Sequence, residues 1–272
     1  MTKLGKLIHV VLTLLLIGGC NTMQTRSSDG SALARIEQRG ELVLGTSGDM
    51  EPMSFTHADG KVVGLDVDIG RFMAQAMGVK LTTRTLPFTE LLPALQRGEV
   101  DVVISNLTIT PKRNMSVAFV GPYMTSGKCI LTKQESLARA QQAEDLNTPD
   151  TRIAVMKGST SEDFVRTLLP QATVMLADSR TAAVDLVKSD QAGGMLTDYP
   201  ICMSSLKNHP EAGFVSLFSL LSYEPIGIAL PGNDPLFVNW TENFLMRMEA
   251  LGALDEIGKR WFGEYAEAMQ SE

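Results

Sequence analysis

The sequence has little of what builds metal sites and nothing long enough to cross a membrane near its start. Its 272 residues include three cysteines and three histidines. No Cys-x-x-Cys pair and no Cys/His cluster occurs, so the spacing of a zinc site is missing. His9, His57 and His209 stand far apart. No block of lysine and arginine is present, and the formal net charge is −7, which disfavours nucleic acid as a partner. The apolar run Leu7–Ile17 spans 11 residues, against the roughly 20 that a transmembrane helix needs. No Pro/Gly/Ser-rich linker divides the chain, no repeat is visible, and the Gly-rich Walker spacing of a phosphate loop is absent.

What is present begins with a leader. Lys3 and Lys6 precede the apolar run, and Gly18, Gly19 and Cys20 follow it. A basic start, a short apolar core and a small-residue exit mark a secretion signal over residues 1–19. "IGGC" (Ile17–Cys20) resembles a bacterial lipobox, which implies cleavage before Cys20 and lipid on that residue. Several acyl chains on one residue anchor stably, where a single chain binds marginally. Asn21 rather than Asp follows Cys20, which implies the outer membrane in a Gram-negative cell; otherwise the anchor lies on the outer face of the cell membrane. Residues 20–32 are polar and unpatterned, as in a flexible tether. Outside the cytoplasm Cys129 and Cys202 either pair or remain two buried thiols.

About 240 residues remain, with 44% hydrophobic and 20% charged content, ordinary for a globular protein. Strands are expected at "ELVLGT", "KLTTRTL" and "VDVVI". Between them, Leu65, Ile69, Phe72, Met73 and Ala76 mark one face of a helix closed by Gly78. A shorter helix, "FTELLPALQRG", has Thr89 as candidate N-cap and Gly98 at its end. A second set follows: strands "CILTK", "RIAVMKG" and "GMLTD", a helix capped by Ser161 and bearing Phe164, Val165 and Leu168, and a helix "RTAAVDLVKS" with Ala183, Leu186 and Val187 inward. Strand "IGIAL" and two helices close the chain, with Phe237, Trp240, Phe244, Met248 and Leu251, then Leu254, Ile257 and Trp261, as core. Alternating strands and helices predict an α/β protein with two groups, each a mostly parallel sheet flanked by helices. "MTSGK" (Met124–Lys128) and "LSYEP" (Leu221–Pro225) are the expected crossings.

Two strand ends could carry chemistry. In "SNLTITPKR" (Ser105–Arg113), Thr110 is a good N-cap and Pro111 suits the first helical position. Helix N-termini favour anions, and Arg113 adds a fork suited to a carboxylate. The stretch therefore reads either as a carboxylate receptor with Thr108 and Arg113 or as a capped surface helix. Asp198 ends another strand, as a turn cap or as a counter-charge for an ammonium. The loop Gly158–Ser161 offers further hydroxyls and N–H groups before a helix.

The order of these motifs resembles the bacterial extracellular solute-binding proteins of family 3. "GLDVDIGRFMAQAMG", "FTELLPALQRGEVDVVISNLTITPKR", "AVMKGSTSEDF", "MLTDY" and "LGALDEIGKRWFG" carry the resemblance, from about Gly40 to Gly263. It implies a two-lobed fold of the type II periplasmic-binding-protein kind, with lobe 1 at 33–126 and 225–272 and lobe 2 at 127–224. It further implies a monomeric lipoprotein of the cell envelope that closes on a free amino acid and delivers it to an ABC importer, without a cofactor. Arg113 would clamp the α-carboxylate with Thr108, Ser159 and Thr160. Asp198 would take the α-ammonium with Ser105 or Asn106, and Phe88 would pack on the side chain. The wall formed by Ser47, Met50, Phe88 and Met156 carries little charge, which favours a neutral, partly apolar amino acid. Two alternatives share the scaffold. One is an enzyme like cyclohexadienyl dehydratase, with Glu162 or Glu90 as general acid. The other is a ligand-sensing subunit of a signalling system.

Overall fold

The computed structural model describes residues 31–140, 142–217 and 222–263. The leader, Cys20 and most of the tether lie outside the described residues. The strands are β1 (Glu41–Thr46), β2 (Asp49–Met50), β3 (Ser54–Thr56), β4 (Val62–Val63), β5 (Lys80–Thr85), β6 (Val102–Val103), β7 (Ala118–Ser126), β8 (Lys128–Thr132), β9 (Arg152–Met156), β10 (Thr173–Ala177), β11 (Gly194–Asp198), β12 (Val215–Leu217) and β13 (Glu224–Leu230). They form two five-stranded sheets, β5-β1-β6-β13-β7 and β10-β9-β11-β8-β12, and a small sheet β2-β3-β4.

Both large sheets follow one rule. Parallel pairings join β5, β1 and β6 in the first lobe and β10, β9 and β11 in the second. The remaining pairings are antiparallel, through β13 in the first sheet and β8 in the second. Four of the five strands in each sheet therefore point the same way, with one reversed. The reversed strand is in each case the one arriving from the other lobe. β7 leaves the first sheet at Ser126 and β8 begins at Lys128; Glu224 returns opposite Ser126. A strand entering at the carboxyl edge must run back from it. The crossings thus bring Lys128 and Glu224 to the edge where open α/β sheets bind ligands.

The second sheet is covered on both faces. Cys129, Leu131, Ala154 and Met195 belong to one apolar cluster, while Ile130, Ile153, Val155 and Leu196 belong to another. Successive residues alternate between faces, yet both faces are apolar, so these strands read as continuous hydrophobic runs. Cys129 and Cys202 form a disulfide, with Cα atoms 6.5 Å apart, which resolves the two readings of these residues.

Several helix ends match expectation. Gly78 and Gly98 adopt left-handed conformations, and Thr110 accepts from the Arg113 N–H ahead of Pro111. Gly64 precedes the helix Leu65–Met77 with φ +135, and a Cβ there would lie 2.2 Å from the Met53 carbonyl oxygen. Other ends differ. Ser159 rather than Ser161 caps the helix Thr160–Leu168, because Ser161 already lies in its first turn. Phe88–Glu90 is a 3-10 turn led by Pro87, so Thr89 caps nothing. Ala76 and Leu251 are exposed; Ala74 is buried in Ala76's place. The terminal aromatics pack within the first lobe's core, Trp240 stacking on Phe244 at 5.4 Å. A helix at Ala32–Arg39, capped by Ser31, was not anticipated and shortens the tether.

Candidate functional site

Side chains from both lobes converge on one cavity. Its walls include Met50, Phe88, Asn106, Thr108 and Arg113 from the first lobe. The second contributes Met156, Ser159, Thr160, Ser161, Arg180, Thr197, Asp198 and Ile201. The cavity volume is about 20 Å³, room for about one water-sized sphere. Met156 and Ile201 pack into the same apolar cluster as Met50 and Phe88. The lobes are therefore closed on each other.

Arg113 spans the gap. Its guanidinium donates to the Thr108 carbonyl at 2.8 Å and to the Gly158 carbonyl at 3.1 Å, one acceptor from each lobe. It sits 5.7 Å from the centre of the Phe88 ring, a cation–π arrangement. Burial pulls its pKa down, opposed by the charges of Asp198, Glu224 and Asp163. The helix behind it, Pro111–Asn114, is a single turn and offers little dipole of its own.

The opposing helix start is better built. Ser159 accepts from the Glu162 N–H, and the Glu162 carboxylate accepts from the Gly158 N–H at 2.8 Å. The Thr160 and Ser161 N–H groups belong to the first turn, where no intrahelical acceptor exists. Thr160 and Ser161 both line the cavity, so this helix start is part of its wall. Gly158 has φ +75, and an added Cβ would lie 3.0 Å from Thr89. A glycine is thus needed for the loop to turn here while close to the first lobe.

Asp198 lies at the carboxyl end of β11. Its Oδ1 accepts from Lys128 Nζ at 2.5 Å and its Oδ2 from Asn106 Nδ2 at 2.7 Å. A carboxylate can accept more than two such bonds, so capacity remains. Asn106 is held in a left-handed conformation, φ 49. Its N–H donates to Asp66 Oδ2 at 2.9 Å, and Tyr123 donates to Asp66 Oδ1 at 2.6 Å. Burial pushes Asp66 up to about 6, against the pull of those two donors. Asn106 Oδ1 is buried without a partner among the described residues.

Lys128 is the cation that sequence reasoning passed over. Its side chain is 1% exposed. Nζ reaches Asp198, the Thr160 hydroxyl at 2.7 Å and Glu224 Oε2 at 3.3 Å. Glu224 also accepts from Thr108 at 2.7 Å and Thr160 at 3.0 Å. Its pKa is held low by Lys128 first and then by those hydroxyls, which outweigh the cost of burial. A lysine opening the apolar strand "KCILT" was the available sign, since lysine is rarely buried unless paired.

Not every expected residue reaches the cavity. Ser105 Oγ instead accepts from the Ser47 N–H at 3.0 Å, and neither serine lines the wall. Glu162 serves its helix start and pairs with Arg166, and its pKa is lowered despite burial. Glu90 lies 3.7 Å from Arg97, away from the cavity. Arg180 does reach it. The wall is therefore more charged than Ser47, Met50, Phe88 and Met156 alone would make it. Among the described residues, no group of three His, Cys, Asp or Glu could hold a metal ion.

Two α/β lobes, closed over paired charges at the carboxyl ends of their strands, define a solute-binding protein of the two-lobed type. The chain belongs to the bacterial extracellular solute-binding proteins, family 3, whose model matches residues 42–264. It is 27% identical over 258 residues to the ABC transporter glutamine-binding protein of Bacillus subtilis, covering 90% of each chain. It is 26% identical to the cyclohexadienyl dehydratase of Pseudomonas aeruginosa, covering 85% of this chain and 86% of the other. Among solved structures, an ancestral amino acid-binding protein, a precursor of cyclohexadienyl dehydratase, is 36% identical with a TM-score of 0.79. That match covers 85% of this chain and 99% of the other.

Proposed function

We propose that this protein captures a free amino acid between its lobes and delivers it to an ABC importer. The observation that carries this reading is the meeting of Arg113 and Asp198 on one cavity, from opposite lobes. A cation and an anion so placed suit a zwitterion. Arg113, the helix start at Thr160 and Ser161, and the Thr108 hydroxyl receive the α-carboxylate; Asp198 and Asn106 receive the α-ammonium. Hydrogen bonds to charged groups contribute about 1.5–3 kcal/mol each. A few supply much of the roughly 8 kcal/mol of a micromolar complex.

In the closed form Arg113 and Thr108 spend donors on protein acceptors. Ligand entry requires the lobes to part about their two crossings, and reclosure around the ligand replaces those bonds. We take the lobes as 33–126 with 225–272, and 127–224. The importer's permease and the closed, ligand-loaded protein are the partners, with the protein acting as a monomer. Calorimetric titration of the free amino acids tests the reading. A saturable one-to-one complex is expected; silence from every α-amino acid would sink it.

An enzyme on this scaffold needs a protonated acid facing its substrate. Glu162 and Glu90 do not line the cavity, and Glu224 is held ionised. These placements favour capture over dehydration. Outside the described residues, lipid on Cys20 would tether the protein in the envelope. Cys20→Ser should release it from membranes into the soluble fraction; persistent anchoring would refute that part.

A further inference from the structure

Arg180 is the one cation on the cavity wall that the zwitterion reading leaves unused. It begins the helix Arg180–Lys188, next to its cap Ser179. A cation in the first turn stands at the unfavourable end of the helix dipole, so packing of the helix does not call for it there. Its Nε donates to the Asp49 carbonyl at 2.7 Å and its Nη1 to the Ser205 hydroxyl at 3.4 Å. Its own backbone N–H takes Asp49 Oδ2 at 2.9 Å. The charges of Asp49 and Glu51 are felt by the guanidinium. Even so, among the described residues no carboxylate oxygen lies within ion-pair distance of it. A guanidinium has five N–H donors in a fixed fork, and these contacts engage only two.

The charges around the cavity point the same way. Asp198 is matched by Lys128 and Asn106, and Glu224 by Lys128 and two hydroxyls. Arg113 and Arg180 then face the cavity together, against Asp198 alone on the wall. Counted on the wall alone, a ligand of net charge −1 balances the two guanidiniums against Asp198, while Asp49 and Glu51, off the wall, temper the charge of Arg180.

Resting on the amino-acid reading above, we propose that the ligand carries a second carboxylate, which Arg180 receives. Arg113 then takes one carboxylate and Arg180 the other, each with a planar fork that matches two oxygens. The same guanidinium repels an arginine or lysine side chain, and this supplies rejection as well as attraction.

Calorimetry on the mature protein tests this with acid and amide pairs: L-glutamate against L-glutamine, and L-aspartate against L-asparagine, with L-arginine as the cationic arm. The acid is expected to bind at least about tenfold more tightly than its amide, and arginine not to compete. In Arg180→Gln the acid-to-amide ratio collapses toward one, and in Arg180→Lys part of it returns. Melting curves without ligand check that each variant is folded. An amide or arginine binding as well as the acid overturns the proposal while leaving the amino-acid reading intact. Equal weakening of acid and amide in Arg180→Gln also overturns it, and makes Arg180 a contact for lobe closure only. Binding of no α-amino acid and no dicarboxylate overturns both readings. Two further arms separate sources of the second carboxylate. Succinate or glutarate binding as tightly as the amino acids upholds Arg180 and removes the ammonium role of Asp198. Consumption of prephenate or arogenate upholds the dicarboxylate site and replaces capture with catalysis.

Discussion

Asp198 and Arg180 both face the cavity from the second lobe, yet the fold treats their charges differently. Asp198 has a partner on each oxygen, Lys128 from its own sheet and Asn106 from the other lobe. Arg180 has a carbonyl, a hydroxyl and no ion pair among the described residues. In the closed form the charge of the first region, Asp198, is matched by Lys128 of its own lobe, so it positions. The second is incomplete, so it can select. A binding site needs both: preorganised groups lower the cost of ordering the ligand, while unmatched charge decides which ligand is rewarded.

That contrast can be broken from the completed side. Lys128→Met keeps the length of the side chain and removes its charge. Asp198 and Glu224 are then left buried without their cation. Breaking a buried pair by removing one partner costs about 3–5 kcal/mol. Chemical denaturation is expected to show a loss of that order; a loss near zero would mean that water already screens the triad.

Asp66 sharpens the comparison with a smaller effect. It supports Asn106 from behind, and burial raises its pKa from 3.8 to about 6. A carboxyl raised on folding binds its proton more tightly in the folded state. Its contribution is full below the unfolded value and lost as pH rises through about 6. Two units correspond to roughly 3 kcal/mol. Relative to Asp66→Asn, the wild type should therefore gain stability as pH falls from 7 to 4, measured by urea midpoints. A parallel course for the two proteins would place Asp66 at its ordinary pKa. Binding should follow in the same direction only weakly, since Asn106 and not Asp66 faces the cavity.

The completed region was half legible in the sequence. Asp198 and Arg113 end or follow hydrophobic strands, and strand ends in α/β sheets mark sites. Thr110 and Pro111 announced their helix start through local rules alone. Lys128, Glu224 and Arg180 were missed because each matters through a partner far along the chain: Lys128 with Asp198, Glu224 with Thr108, Arg180 with Asp49. No local pattern encodes such a meeting, although a lysine heading an apolar strand and an arginine opening a helix were both out of place. The same reason explains Ser159 and Ser161. Two serines separated by one residue are equivalent by type, and only the turn at Gly158 decides which one caps. The alternation of faces in β8, β9 and β11 was hidden because both faces are apolar.

The central claim is that Arg113 receives the ligand's α-carboxylate between the lobes. Calorimetry on Arg113→Ala tests it most directly, with circular dichroism to confirm that the chain still folds. The account predicts a folded protein in which amino-acid binding falls by at least about a hundredfold, the loss of more than one charge-assisted bond. A folded Arg113→Ala protein that binds amino acids with unchanged affinity would contradict it.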